Sequence, residues 1–365
     1  MSSEPGQPLA ATDSSTESVL AELDPRTDPR WDEFVTSHPE GTVYHHSAWT
    51  QVLAETYGHT PLYLGLVSED GRRLTGALPF LFISSVITGR RLVALPYTTY
   101  CTPLMPGRRL EEVLRYALTR FRGAKYVEVK LLKRSDETGG PDHREAESPF
   151  VSQVLSLNHD IEALFRSFHE SSVRQRVRRA EKAGLTFRIA ESESDLRRFY
   201  ELFEKLRQGQ GLPCCPYRFF ANMRRLMAPL NLFEMPVVEF EGRVVAAAVV
   251  LKGRFTWHLE YTASDEECLR LGSNQLLIWE CIKRAHRMEA RTFDFGRTSL
   301  GHKSLLEFKD RWHTERHPIS HRYYPDDTEH PNWRDPFGSA FVRLNKKMPL
   351  LLLKWEGRLI YPHRS

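Results

Sequence analysis

The chain has 365 residues, 41 % hydrophobic and 27 % charged. These are ordinary values for a globular protein and exclude a collagen-like, coiled-coil or wholly disordered chain. At about 100–200 residues per domain the length accommodates two domains. A balance of 51 basic to 47 acidic residues, net +4, means that any functional charge is local.

The longest apolar runs, Ala246–Leu251 and Leu350–Leu353, fall far short of the ~20 residues that span a bilayer. Cysteines 101, 214, 215, 268 and 281 form no C-x-x-C pair, so free thiols in a reducing compartment are expected, with no metal site. Met1–Asp13 shows neither a basic region nor an apolar stretch of the secretory kind. A cytoplasmic protein is expected.

Residues 1–18 are rich in Ser, Thr, Pro and Glu, and a disordered tail is expected there. Ser47–Tyr57 reads as a helix, with Ser47 as N-cap and Trp49, Val52, Leu53 and Tyr57 on one side. Pro61–Val67 reads as a strand, Glu69–Arg72 as a hairpin turn around Asp70-Gly71, and Leu74–Val86 and Arg91–Pro96 as further strands. Leu110–Phe121 is a predicted helix and Lys125–Leu132 a strand. Ser135–Ser148 has no residue fit for a core and reads as a surface loop or interdomain segment.

Helices are then predicted over Ile161–Phe168 and Ser172–Ala183, the latter ended by Gly184. Leu185–Ile189 reads as a strand, and Glu193–Gln208 and Phe219–Met227 as helices. Leu232–Phe240, Val244–Leu251 and Phe255–Ala263 are predicted strands, followed by a helix over Gln275–Met288 and a strand over Thr292–Phe295. The order helix, hairpin, strand, helix, strand thus occurs twice. Glu69–Arg72 and Glu241–Arg243 are the matching hairpins, so a duplicated α/β domain is expected.

The run Phe293-Asp294-Phe295-Gly296-Arg297 ends a strand, and Phe308-Lys309 follows a dozen residues on. Strand ends are where α/β sheets place ligands. Arg297 and Lys309 have the chemistry to bind an anion and Asp294 to pair with Arg297; the alternative is a surface salt bridge and a solvated lysine.

This run resembles the C-terminal signature of the FemAB-type transferases, the peptidoglycan-bridge aminoacyltransferases and their exopolysaccharide-associated relatives. Other stretches resemble the family in the same order: His45–Trp49; the basic helix with Arg174, Arg178 and Lys182; Arg207 with Gly211-Leu212-Pro213 and Pro216-Tyr217; Glu260–Ser264 with the helix after it; and the tail from Lys347 to Pro362. The likeness covers about residues 43–362. It implies an α/β fold of two tandem GNAT-like acyltransferase domains, each a mixed, mostly antiparallel sheet flanked by helices. The implied spans are a tail over 1–18, domains over 19–158 and 159–328, and a helical tail over 329–365.

The implied reaction is transfer of an acyl or aminoacyl group to an amine, in a cleft between the domains. Lys309 matches the family's Phe-Lys lysine, associated with substrate phosphate or developing charge. Attack on an ester or thioester builds charge on the carbonyl oxygen, which a fixed cation or N–H group stabilises. Lys309, Tyr261 and Glu260 are therefore the candidate catalytic residues, Glu260 as a base or as a structural partner of an arginine. Arg207, Tyr217, Arg297 and Arg174 are candidates for binding substrate.

GNAT enzymes hold the coenzyme A diphosphate on [R/Q]-x-x-G-x-[G/A] at a helix start. Arg270, Gly272, Ser273 and Asn274 stand there, with spacing one residue short. The donor, acyl-CoA or aminoacyl-tRNA, stays open, as does a simple helix cap. No permanently bound cofactor is expected. The acceptor would be a small-molecule or lipid-linked amine of a cell-envelope or polysaccharide precursor, or another metabolite. The Arg174–Lys182 helix would touch tRNA or be a solvated face. The Phe337–Leu359 region would meet a membrane surface or pack on the second domain. Two rivals are an acyl-CoA-dependent acetyltransferase of small amines and a non-catalytic binding scaffold.

Overall fold

The computed structural model describes residues 18–86, 88–133, 145–326 and 338–363. The first half supplies β1 (Ser18–Leu23), α1 (Arg30–Ser37), α2 (Ser47–Tyr57), β2 (Thr60–Ser68), β3 (Leu74–Ser85), β4 (Gly89–Val93), α3 (Leu110–Arg120) and β5 (Val127–Leu132). There follow β6 (Glu145–Ser156), α4 (Ile161–Ser167), α5 (Gln175–Lys182), β7 (Thr186–Ile189), α6 (Glu193–Gln210) and α7 (Tyr217–Met227). Next come β8 (Phe233–Glu234), β9 (Pro236–Phe240), β10 (Arg243–Lys252), β11 (Thr256–Ser264), α8 (Ser273–Arg287) and β12 (Thr292–Ser299). The chain closes with α9 (Lys303–Asp310), β13 (Glu315–Tyr324), α10 (Gly338–Asn345) and α11 (Leu350–Ile360).

One mixed, mostly antiparallel sheet runs through both halves in the order β1-β2-β3-β4-β5-β13-β6-β12-β11-β10-β9-β7, with β8 beside β10. The duplication is visible in that order. Reading inward from either edge, an antiparallel run ends in a parallel pair, β4 with β5 and β11 with β12. A crossover helix, α3 or α8, joins each parallel pair, as parallel strands require. Between the repeats, β13 pairs with β5 on one side and β6 on the other.

Side chains alternate along β10. Ala247, Val249 and Leu251 enter one core, while Ala246, Ala248 and Val250 enter another on the opposite face. The first core unites the halves: Trp49 of α2 meets Phe219 of α7 at 6.0 Å between rings. In the second, Trp279 of α8 lies 5.8 Å from Phe168. Burying each such side chain contributes about 1.5–3 kcal/mol or more.

Three expectations change. Ser47 is the first residue of α2, not its cap. Its hydroxyl donates to Asp32 Oδ2 at 2.5 Å, and His46 Nδ1 accepts from the Ala48 N–H at 3.1 Å instead. The helix expected from Ser172 opens with a π-helical turn over Glu170–Arg174. Of the loop expected over 135–148, residues 135–144 lie outside the described residues. Glu145–Ser148 begin β6, drawn into the sheet by β13, where Ala146 pairs with His321. The tail expected over 1–18 lies outside the described residues except Ser18, which opens β1.

The C-terminal region packs on the second half. Lys354 pairs with buried Glu204 of α6 at 2.7 Å. Gly357 lies so close to the Cys214 carbonyl that a Cβ would sit 1.9 Å from its oxygen. The five cysteines are buried and none is in a disulfide.

Candidate active site

Strands β11 and β12 pair only from Thr256 to His258 and Thr292 to Asp294, then part. Both are irregular where they part. Against β10, Tyr261 faces Val249 and Leu259 faces Val250, so Glu260 is the extra residue of a bulge. Against β6, the register of β12 shifts between Asp294 and Arg297, and Gly296 takes a φ of 72°. That left-handed backbone suits glycine. The result is a V-shaped gap in the sheet.

Asp294 fixes the apex. It is fully buried, and its Oδ1 accepts from Ser152 Oγ at 2.8 Å and from the Gly296 N–H at 2.7 Å. His258 Nδ1 lies 3.4 Å from its Oδ2. Burial raises the carboxyl's pKa, but His258, Ser152 and Gly296 outweigh it and hold the group below the usual carboxylate value. Asp294 thus holds the turn that aims Arg297.

Glu260 and Arg297 stand on the two arms of the V. The Tyr44 hydroxyl, from the first half, donates to Glu260 Oε1. Tyr44 is itself fully buried, with its ring 4.6 Å from that of His258. Burial raises the Glu260 pKa above its ordinary value, against the opposing pull of His258 and the Tyr44 hydrogen bond. Arg297 is exposed to solvent although protein crowds it closely enough to lower its pKa. A side chain at the floor of an open cleft has both properties. Its guanidinium lies 5.1 Å over the Phe150 ring and has no hydrogen-bond acceptor or ion-pair partner among the described residues.

Lys309, on the last turn of α9, is 7 % exposed and reaches the gap from beneath. Its Nζ donates to the Gly296 carbonyl at 2.7 Å and lies 3.5 Å from that of Arg297. Burial pulls its pKa down to about 8, while Asp294 and Glu260 resist. Tyr261 meets Phe203, Phe219 and Phe220 edge-on; burial is also what raises its pKa most.

The structure therefore brings Glu260, Tyr261, Arg297 and Lys309 together. Arg207 lies at the rim, on the Pro213 carbonyl at 3.2 Å and the Tyr361 hydroxyl at 3.4 Å. Tyr217 lies by the opposite end of α6, where its hydroxyl donates to Glu193, and burial pushes its pKa to about 12. Arg174 is turned to the Phe168 carbonyl at 3.0 Å, under α4.

The Arg270–Asn274 loop does follow β11 and open α8. Gly272 and Ser273 are buried, however, and a Cβ on Gly272 would sit 2.2 Å from the Arg176 carbonyl oxygen. Helix α5 thus covers this helix start. Arg270 is exposed, with its carbonyl accepting from Arg179 at 3.2 Å, and Asn274 Oδ1 is buried without a partner.

Sequence reasoning passed over Tyr44, His258, Ser152 and Lys130. Lys130 is 1 % exposed, and its Nζ has no hydrogen-bond partner among the described residues. Burial lowers its pKa to about 8, with nearby Arg297 adding to the effect against Glu128. Its signal was a lysine in the apolar β5 pattern.

Residues 167–310 match the acetyltransferase (GNAT) domain family. That match lies within the second repeat and spans less than half of the chain. The fold is similar to that of FemX, at 16 % identity and a TM-score of 0.67, over 83 % of this chain and 97 % of that one. A tandem GNAT protein from the clavulanic acid biosynthesis pathway matches at 13 % identity and a TM-score of 0.50, over 86 % and 100 %. A protein of unknown function from Bacteroides thetaiotaomicron matches at 10 % and 0.53, over 83 % and 99 %. No curated protein matches the sequence. The fold is thus FemAB-like, with two tandem GNAT-like repeats.

Proposed function

We propose that the chain is an N-acyltransferase working in the gap between β11 and β12. The observation that carries this is that Glu260 and Arg297 face each other across an open split, with Lys309 beneath. The acceptor amine attacks the donor carbonyl and a C–N bond forms. Glu260 takes the amine proton, and the donor's C–S or C–O bond breaks as that proton passes to the leaving group. The Lys309 ammonium stabilises the charge that develops on the carbonyl oxygen. Tyr261 orients the amine. Arg297, with no acceptor among the described residues, holds an anionic part of a substrate, and Lys130 behind it adds positive charge. The acceptor is a small or lipid-linked amine of the cell-envelope or polysaccharide type.

An acyl-CoA thioester is the leading donor for a GNAT domain. One observation favours an aminoacyl ester instead: α5 covers the start of α8, so a diphosphate docking there has to displace α5. Thermal unfolding against acetyl-CoA, with adenosine bisphosphate and free phosphate as controls, separates the two. At a hundred times its Kd a ligand adds about 2.7 kcal/mol of stability. A saturable shift specific to acetyl-CoA supports the thioester. A shift with charged but not uncharged tRNA supports the ester. With neither, the enzyme reading falls and a binding scaffold replaces it.

A further inference from the structure

Helix α11 is apolar on two sides. At about 100° per residue, Leu353, Gly357 and Tyr361 fall on one side, and all three are buried, Gly357 against Cys214 and Tyr361 stacked on Tyr97 at 6.2 Å between rings. Leu351, Leu352, Trp355 and Leu359 fall within a second stripe about 100° wide, pointing away from it. They are 66, 52, 57 and 66 % exposed, and Leu344 of α10 adds a fifth at 65 %. The other exposed large apolar residues are scattered singly over the described residues. Scattered ones need no explanation; a contiguous stripe does.

Among the described residues, the charged side chains exposed beside the stripe are basic. Lys346, Lys347 and Arg358 are exposed beside it. The single acid of α11, Glu356, is turned to the Asn345 amide at 2.8 Å. No helix among the described residues is long and apolar enough to cross a membrane. Eleven residues of α11 reach only about 16 Å, half of a bilayer's hydrocarbon core.

We infer that the outer face of α10 and α11 docks on an anionic lipid surface. Leu351, Trp355 and Leu359 enter the headgroup boundary, and Lys346, Lys347 and Arg358 meet lipid phosphates. A basic, apolar face of this kind fits anionic lipid better than the mixed-charge surface of a second copy. The end of α11 is tied to both halves: Arg207 at the cleft rim donates to the Tyr361 hydroxyl at 3.4 Å, the Tyr97 hydroxyl donates to the Tyr361 carbonyl, and Arg91 donates to the His363 carbonyl at 3.1 Å. A membrane on α11 therefore lies beside the cleft. The inference stands apart from the acyl-transfer reading.

The test is sedimentation of the full chain with vesicles of phosphatidylcholine, with and without one part in three of phosphatidylglycerol. Binding to the anionic vesicles is expected. Leu351→Ser/Trp355→Ser/Leu359→Ser should weaken it about tenfold or more, and Lys346→Gln/Lys347→Gln/Arg358→Gln should remove the preference for anionic lipid. Both variants should keep the wild-type unfolding temperature and any acetyl-CoA response, since none of these side chains enters the cleft. If the apolar variant fails to fold, the charge variant alone decides. Wild-type protein that stays in the supernatant, or variants that bind as it does, overturn the proposal. A dimer that forms without lipid and is broken by the apolar variant overturns it in favour of a second copy.

Discussion

The sheet parts twice between parallel strands, once in each repeat, and the two openings have different fates. In the first, β4 and β5 pair only at Leu92–Val93 with Val127–Glu128. The chain after β4 then turns back into the opening. Ala94 donates to the Glu128 carbonyl at 2.7 Å, and Cys101 to that of Lys130 at 2.9 Å. Leu95 and Tyr97 take φ values of 56° and 63° to make the turn, a backbone cost of about 1–2 kcal/mol each. His45 braces the plug: its Nδ1 accepts from the Thr42 N–H at 3.1 Å, which leaves Nε2 to donate to the Thr102 carbonyl at 2.9 Å. In the second opening β11 runs on beside β10 to Ser264, and among the described residues no strand or returning segment pairs between β11 and β12 beyond His258 and Asp294. The same strand geometry thus serves stability where it is plugged and is free for chemistry where it is open.

The comparison breaks first if Lys309 is dispensable. Lys309→Ala should lower turnover about 100–1,000-fold, the usual loss for one charge-stabilising donor, with the fold retained by circular dichroism. The ammonium is the working form, and burial brings its pKa to about 8. kcat/KM should therefore fall as pH rises through about 8, and Lys309→Arg should remove that limb. Near-normal turnover in folded Lys309→Ala would end the catalytic assignment.

Tyr44→Phe is a finer probe, because Tyr44 belongs to the plugged half yet touches the open one. Its hydrogen bond favours the Glu260 carboxylate. Removing it should raise the Glu260 pKa further, so the acid limb of the pH–rate profile moves to higher pH. The plateau rate should change less than about tenfold, since Tyr44 acts through Glu260. An acid limb that stays in place would mean that Glu260 is not the base.

Local periodicity made the repeat legible. The apolar spacing of Ser47–Tyr57 and the hairpins around Gly71 and Gly242 are set by near neighbours in sequence. The strand end at Asp294–Arg297 and the Phe308-Lys309 pair were legible as chemistry for the same reason. Tyr44 and Glu260 are 216 positions apart, and only the docking of the halves joins them. Ser152 and Asp294 meet because β6 inserts beside β12, and Glu145–Ser148 carry no apolar pattern to announce a strand. The covering of Gly272 by α5 was equally hidden: a helix start reads as an anion site until a second helix is known to lie on it.

The smallest effect probes the plug itself. The Leu132 N–H donates to Thr102 Oγ1 at 3.2 Å, fastening the returning chain to the end of β5. Thr102→Val keeps the shape and deletes the acceptor, which should cost about 1 kcal/mol of stability. Urea unfolding reads this as a lower midpoint at constant m. Turnover should stay at the wild-type level, because the partner lost, the Leu132 N–H, makes no bond to Glu260, Arg297 or Lys309. If activity fell with stability, the plug would have to hold Tyr44 in position through His45, and the two openings would be parts of one site.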